Sequence, residues 1–304
     1  MKKPKIVIVG SSNTDMVIKV PRIPIPGETI IGKNFMMIPG GKGANQAVAA
    51  ARAGADVTFI TCVADDAFGR QAIENYRKEG INTSYIKVVK GEHSGIALIA
   101  VANDGENSIA VAPGANNLLL PEDIEQFEDA FSEAQLILAQ LEIPIQTVLS
   151  VAEIASAKNI PFVLNPAPAM PVPVDLLKKV TLITPNESEA GILTAQENLT
   201  GNNIQKMAGS LREMGAKTVL VTLGEKGVYL KNEKHQGMLV GYPAKAVDTT
   251  AAGDIFNGTL VLALADGKEI KEAIDFAQRA AAISVTRIGA QPSAPTRQEI
   301  DCFI

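Results

Sequence analysis

Tryptophan is absent from this 304-residue chain, and it has only two cysteines and two histidines. Cys62 and Cys302 are too few and too isolated for a disulfide framework or a zinc cluster, and His93 and His235 fall in polar stretches. Positive charge is not in excess: 28 Lys and Arg face 33 Asp and Glu, a net charge of −5. The chain therefore has no basic footprint for nucleic acid or an anionic membrane, and neither is an expected partner. Any phosphate ligand must be held by local groups. No apolar run reaches the length that spans a bilayer. Met1-Lys2-Lys3-Pro4 has no signal-peptide apolar centre, and the cytoplasm is the expected location. The remaining composition is that of an aliphatic globular core rich in Ala, Val, Ile and Leu.

The chain does have bare backbone at two helix starts. Asp248–Gly258 reads DTTAAGDIFNG, and Ala251, Ala252 and Gly253 leave their N–H groups open to close approach. The run Ile255–Ala265 is apolar nearly all round, so a buried helix is predicted there. Such a helix start binds anions, because unpaired N–H groups and the positive dipole end point the same way. Asp254 adds a carboxylate beside the anion hole, which suits a reaction that draws a proton from an alcohol. A plain dipole-favoured acid is the alternative reading. The second such stretch is Gly40-Gly41-Lys42-Gly43-Ala44-Asn45-Gln46, leading into the helix former Ala47–Ala53, with Lys42 and Asn45 as polar tips. Gly27–Asn34 only mimics a P-loop: its interior is β-branched, and Phe35–Pro39 cannot begin the required helix.

Along the rest of the chain, Lys5–Val9 reads as a buried strand, and from about residue 120 strands and helices alternate as in a parallel α/β sheet. Residues 16–39 and 94–112 lack intervening helices and read as a small, antiparallel β subdomain within one 304-residue domain. Polar residues gather just past strand ends: Asn13 and Asp15, Glu142, Asn165, Asn186, and Thr222–Gly227. Open parallel sheets bind ligands at that edge, so these positions predict one long cleft.

Gly40–Asn45 (GGKGAN) and Asp248–Asp254 (DTTAAGD), in that order with the strand-end residues between them, resemble the two signatures of the ribokinase-like (PfkB) carbohydrate kinases. The resemblance covers essentially the whole chain. It implies a three-layer α/β sandwich around a mostly parallel sheet, with the small β-sheet as a lid over a sugar and as a homodimer interface. The implied reaction is transfer of phosphate from ATP to the primary (O5) hydroxyl of ribose. Another small sugar or nucleoside (2-deoxyribose, fructose, a ketogluconate), or a non-catalytic sugar sensor, is the alternative.

The resemblance also implies residue roles. Asp254 would be the base, and Ala251, Ala252, Gly253 and Asp254 the anion hole. Asn13, Asp15, Gly41, Lys42, Asn45 and Glu142 would hold the sugar. Asn186, Thr222, Gly224, Glu225, Lys226, Gly227 and Gly253 would follow the nucleotide. Glu189 would order Mg2+ and its waters. A K+ ion would lie among Asp248, Thr250, Ser284, Arg287, Gly289 and Ser293. Asp254, in the first turn of a helix, is expected to be ionised with an ordinary pKa of about 4. Gln278 stays outside the expected site.

Overall fold

The computed structural model describes residues 3–196 and 201–303; Met1 and Lys2 of the N-terminal stretch lie outside them. In chain order the strands are β1 (Lys5–Val9), β2 (Asn13–Lys19), β3 (Asn34–Gly40), β4 (Asp56–Ala64), β5 (Ile86–Val89), β6 (Gly95–Val101) and β7 (Asn107–Ala112). They continue with β8 (Leu136–Ala139), β9 (Phe162–Leu164), β10 (Leu182–Ile183), β11 (Thr218–Thr222), β12 (Val228–Lys231) and β13 (Gln236–Leu239). The helices are α1 (Lys42–Arg52), α2 (Ala67–Lys78), α3 (Pro121–Gln126), α4 (Ile145–Ala157), α5 (Val174–Leu177), α6 (Glu187–Leu193), α7 (Gly201–Glu213), α8 (Ala252–Ala265), α9 (Ile270–Ser284) and α10 (Arg297–Asp301).

Nine strands form the main sheet in the order β13-β12-β11-β10-β9-β8-β1-β4-β5. Only β12 and β13, at one edge, run antiparallel to their neighbours. Because side chains alternate across a strand, β1 feeds both layers. Ile6 and Ile8 join the core built with α1, α8 and α9, whereas Val7 and Val9 join the core built with α3, α4 and α7. Burial on both faces explains why these strands are continuous aliphatic runs. The result is a three-layer sandwich. Helix α8 is buried along Asp254–Ala263, as its all-round apolar sequence predicts, and packs on both α1 and α9. Gly258 makes that packing possible, because a Cβ there would collide with the Gln46 carbonyl oxygen.

A second sheet, ordered β3-β2-β6-β7, is formed by the two segments read as a β subdomain. Its pairing differs in one respect from the expected antiparallel arrangement, since β2 and β6 are parallel. The chain reaches β6 only after passing through α1, β4, α2 and β5, so it re-enters this sheet in the same direction. Helix α1 also starts earlier than Ala47, at Lys42. That shift places Lys42, Asn45 and Gln46 on one helical face, at i, i+3 and i+4. After α3 the chain continues into a 3₁₀ turn at Glu128–Phe131.

Candidate active site

The two helix starts meet above the carboxyl ends of the central strands. At α1 the chain fills the space itself. Gly41 has φ 88°, and a Cβ on it would lie 2.7 Å from the Asn13 nitrogen; one on Gly43 would lie 2.6 Å from the Gly10 carbonyl carbon. Glu142, just beyond β8, closes the helix end by accepting from the Lys42 N–H at 3.0 Å and from the Ser11 hydroxyl. At α8 no side chain caps the first turn. Ala251 adopts a left-handed conformation at φ 60° and turns the chain into the helix. A Cβ on Gly253 would meet no atom within 4 Å, so the backbone faces open space. Those are the features of an anion cradle.

Asp254 is 7% exposed and held by two amides. Asn45 Nδ2 donates to its Oδ2 at 2.9 Å, and Gln46 Nε2 donates to its Oδ1 at 2.9 Å. The expectation of an ordinary pKa is overturned. Burial pushes the carboxyl upward, only partly opposed by the Lys42 ammonium and the two amide donors. The helix dipole favours the anion, but water is excluded here, and desolvation outweighs it. Gln46, absent from the expected set, is fully buried and also donates to Asn165 Oδ1 at 3.0 Å, while its Oε1 accepts from Gln140 Nε2 at 2.6 Å. Asn165 therefore points inward and braces the site from behind. Asn257, one turn along α8, donates to the Gly253 carbonyl at 2.8 Å and accepts from the Thr184 hydroxyl at 2.6 Å.

Lys42 is the cation of this cluster. Burial pulls its pKa down, but Asp254, Glu142, Glu189 and Asp15 together hold it above the usual lysine value. Asp15 is pushed up to about 7 by burial first, then by Glu142 and Asp254, against the pull of Lys42. Its carboxyl lies so close against Gly40 that a Cβ there would collide with Oδ2. Asn13 is oriented by Asn116, whose Nδ2 donates to Asn13 Oδ1 at 2.7 Å. Asn13, Asp15, Gly41, Lys42, Asn45, Glu142 and Asp254 are thus brought together by direct contacts or by the charges they impose on one another. They form a polar, net-acidic bowl around one half-buried ammonium.

On the other side of Gly253 lies an apolar cleft of about 420 Å³. Thr222, Gly224, Glu225, Gly227, Ala252 and Gly253 line it; Lys226 and Asn186 do not. Asn186 instead bridges to Thr222 and forms a reciprocal cap on α6: its Oδ1 accepts from the Glu189 N–H at 2.8 Å, and its own N–H donates to Glu189 Oε2 at 2.9 Å. Tyr242, Ala244, Phe256, Gln278 and Ala281 also line it. Sequence does not single these out, because apolar residues around a ligand resemble core. Gln278 is a correction: it belongs to this wall, with its Nε2 on the Val240 carbonyl at 3.2 Å and its buried Oε1 without a partner.

The residues expected around a monovalent cation share one corner. Asp248 ties two loops together, accepting from the Thr250 N–H at 2.9 Å, the Thr250 hydroxyl at 2.6 Å and the Gly289 N–H at 2.9 Å. Burial alone would raise its pKa, but these bonds hold it below the usual carboxylate value. Ser284 and Ser293 are buried, each donating to a nearby carbonyl. The Arg287 guanidinium turns away to Glu299 at 2.6 Å, which leaves only its backbone for the corner. An all-oxygen donor set of this kind suits an alkali cation. Glu189 has its pKa raised by burial and senses both Lys42 and Asp254. Among the described residues no group of three or more His, Cys, Asp or Glu is placed to hold a metal ion.

An open helix start with a buried carboxylate, set between a polar, net-acidic bowl and an apolar cleft, is the arrangement of a small-molecule kinase. The chain belongs to the pfkB family carbohydrate kinases, matching that family over residues 3–297. Within the family its relatives include ribokinases and, at 36% identity over 300 residues, deoxyribokinases. It is 46% identical over 292 residues to the ribokinase of Haemophilus influenzae, covering 96% of this chain and 95% of that protein. It superposes on the crystal structure of ribokinase from Thermotoga maritima with a TM-score of 0.90 at 41% identity, and on Arabidopsis thaliana ribokinase complexed with ribose and ATP with 0.91 at 33%. Each structural match covers 99% of this chain, and 99% and 98% of the other chains respectively.

Proposed function

We propose that this protein phosphorylates D-ribose on its primary hydroxyl with ATP. The observation that carries this reading is the position of Asp254. It is a buried carboxylate in the first turn of α8, with the open Gly253 backbone on one side and the Lys42–Asn45 bowl on the other. The ring hydroxyls of ribose would pair with Asn13, Asp15, Asn45 and Glu142, leaving its CH2OH group towards Asp254. The adenine would enter the apolar cleft, where Gln278 Oε1 can accept from its amino group.

The proton balance is simple. Asp254 accepts the proton of the primary hydroxyl, the alcohol oxygen forms the bond to the γ-phosphorus, and the bond to the β-γ bridging oxygen breaks to release ADP. Phosphoryl transfer has a loose transition state, so positioning and charge neutralisation supply most of the acceleration. The Gly253–Asp254 N–H groups and Lys42 supply them here. The raised Asp254 pKa makes it a stronger proton acceptor than an ordinary aspartate. Glu189 would help order Mg2+, which supplies charge neutralisation along the phosphates when bound. The loops joined by Asp248 would hold K+ and fix the geometry of the α8 start.

The second sheet would serve as the lid that keeps water, a competing acceptor, out of the site. Phe35, Met37, Leu98, Ile109 and Val111 are exposed on it, and β7 is exposed along its whole length. An apolar, uncovered sheet of this kind supports a homodimer through the lid. The need for ATP supports a cytoplasmic location. The test is a panel of acceptors with magnesium ATP, with and without potassium: ribose, 2-deoxyribose, fructose, a ketogluconate and a nucleoside. Ribose is expected to give the highest kcat/KM, raised by potassium. Turnover of another acceptor but not ribose would sink the substrate assignment.

A further inference from the structure

We infer that Gln46 is a positioning residue that pins Asp254 Oδ1 and so makes Oδ2 the oxygen that takes the substrate proton. This rests on the reading of Asp254 as the base. One group in the network has a fixed role. The Thr184 main-chain carbonyl only accepts, and Asn165 Nδ2 lies 3.3 Å from it. Asn165 must therefore turn its Oδ1 towards Gln46, and Gln46 must present its NH2 group, 3.0 Å away. The same Nε2 reaches Asp254 Oδ1 at 2.9 Å, while Oε1 is occupied by Gln140 Nε2 at 2.6 Å. Both amide hydrogens and the carbonyl of Gln46 are thus used, and its orientation is dictated from a backbone atom beyond β10.

Asn45, on the other carboxylate oxygen, has a different standing. Its Nδ2 bonds Asp254 Oδ2, but its Oδ1 is buried without any partner. A hydroxyl donated to that oxygen rewards a turn of the Asn45 amide, and the turn releases Oδ2. Gln46 has no such vacancy. One oxygen of Asp254 is therefore held and the other can be freed. Gln46 is fully buried, so it acts through Asp254.

The experiment uses Gln46→Met, which keeps the length of the side chain and removes its donors, and Asn165→Ala, which keeps Gln46 but cuts its anchor. Asp254 is titrated in the substrate-free protein by NMR of 13C-labelled aspartate, its signal assigned with Asp254→Asn. In Gln46→Met its pKa should rise by about one unit or more, the worth of one donor to a charged acceptor. With ribose, kcat should fall about thirtyfold with its acid limb shifted to higher pH, and both KM values should stay within about twofold. Asn165→Ala should move the same quantities in the same direction by less, about fivefold in kcat, and decides the matter if Gln46→Met does not fold. An Asp254 titration unmoved within about 0.3 unit, or a loss confined to KM, would overturn the proposal. If the unmodified protein does not phosphorylate ribose, the functional reading falls, and the titration, which needs no substrate, still decides on Gln46.

Discussion

The starts of α1 and α8 are both rich in glycine and alanine, both sit over the same sheet edge, and they are used in opposite ways. At α1 the protein supplies the anion itself, the Glu142 carboxylate, and presses Gly41 and Gly43 against the backbone of residues 10–13. At α8 nothing caps the first turn, and Gly253 faces empty space. Small residues before a helix thus mean close packing in one case and a reserved anion position in the other. What separates them is whether a Cβ would find protein or nothing.

Substitution should separate the two helix starts by what each variant loses. Gly253→Val fills the reserved space, so kcat/KM with ATP should fall about a hundredfold or more, while the melting temperature changes little because no protein atom is displaced. Gly43→Ala should do the reverse: about 1–3 kcal/mol of stability lost in denaturant melts through contact with Gly10, before any specific effect on ATP. Equal stability losses in the two variants would erase the distinction. Glu142→Gln keeps the cap geometry and removes a charge, so the KM for ribose should rise about tenfold with kcat less affected. Calorimetric binding of ribose would check this.

Asp15→Asn should give the smallest effect, and one with a defined pH dependence. The folded pKa of Asp15, about 7, lies above its ordinary 3.8. In acid the group is neutral in both states and costs nothing; as pH rises from its ordinary value through 7, the folded state holds a proton the unfolded state has lost, and stability falls. The variant should therefore melt no higher than the unmodified protein near pH 4 and a few degrees higher above about pH 8, with weaker ribose binding. A melting advantage independent of pH would rule out the carboxylate crowding.

The parts of this site legible in sequence are those carried by short, contiguous stretches. DTTAAGD and GGKGAN, and the polar residues at strand ends, announce themselves locally, because bare backbone beside an acid or a lysine is seldom needed except where something presses close. Of the braces only Asn165 was legible, as a polar strand-end residue, and its contacts were not. Gln46 meets Asp254 across 208 residues, and Gln140, Asn165 and Asn257 meet their partners only once the sheet is assembled. One local signal was available: a helix beginning at Lys42 puts Lys42, Asn45 and Gln46 on a single face, and starting it at Ala47 hides this. The Asp254 pKa escapes the sequence for a related reason. The dipole is a property of the helix and can be seen in sequence, whereas desolvation depends on everything packed around it. The parallel β2–β6 pair likewise follows from a crossover that composition does not record.

The chemistry proposed for this site depends on the carboxylate beside the open start of α8 taking the proton of the sugar hydroxyl. Asp254→Asn is the decisive variant, with ribose phosphorylation and the binding of ribose and ATP measured on the same preparation. Its kcat should fall by about three orders of magnitude or more, with both affinities within about threefold of the unmodified protein. Turnover within about twofold of the unmodified protein, with binding intact, would remove Asp254 from the chemistry.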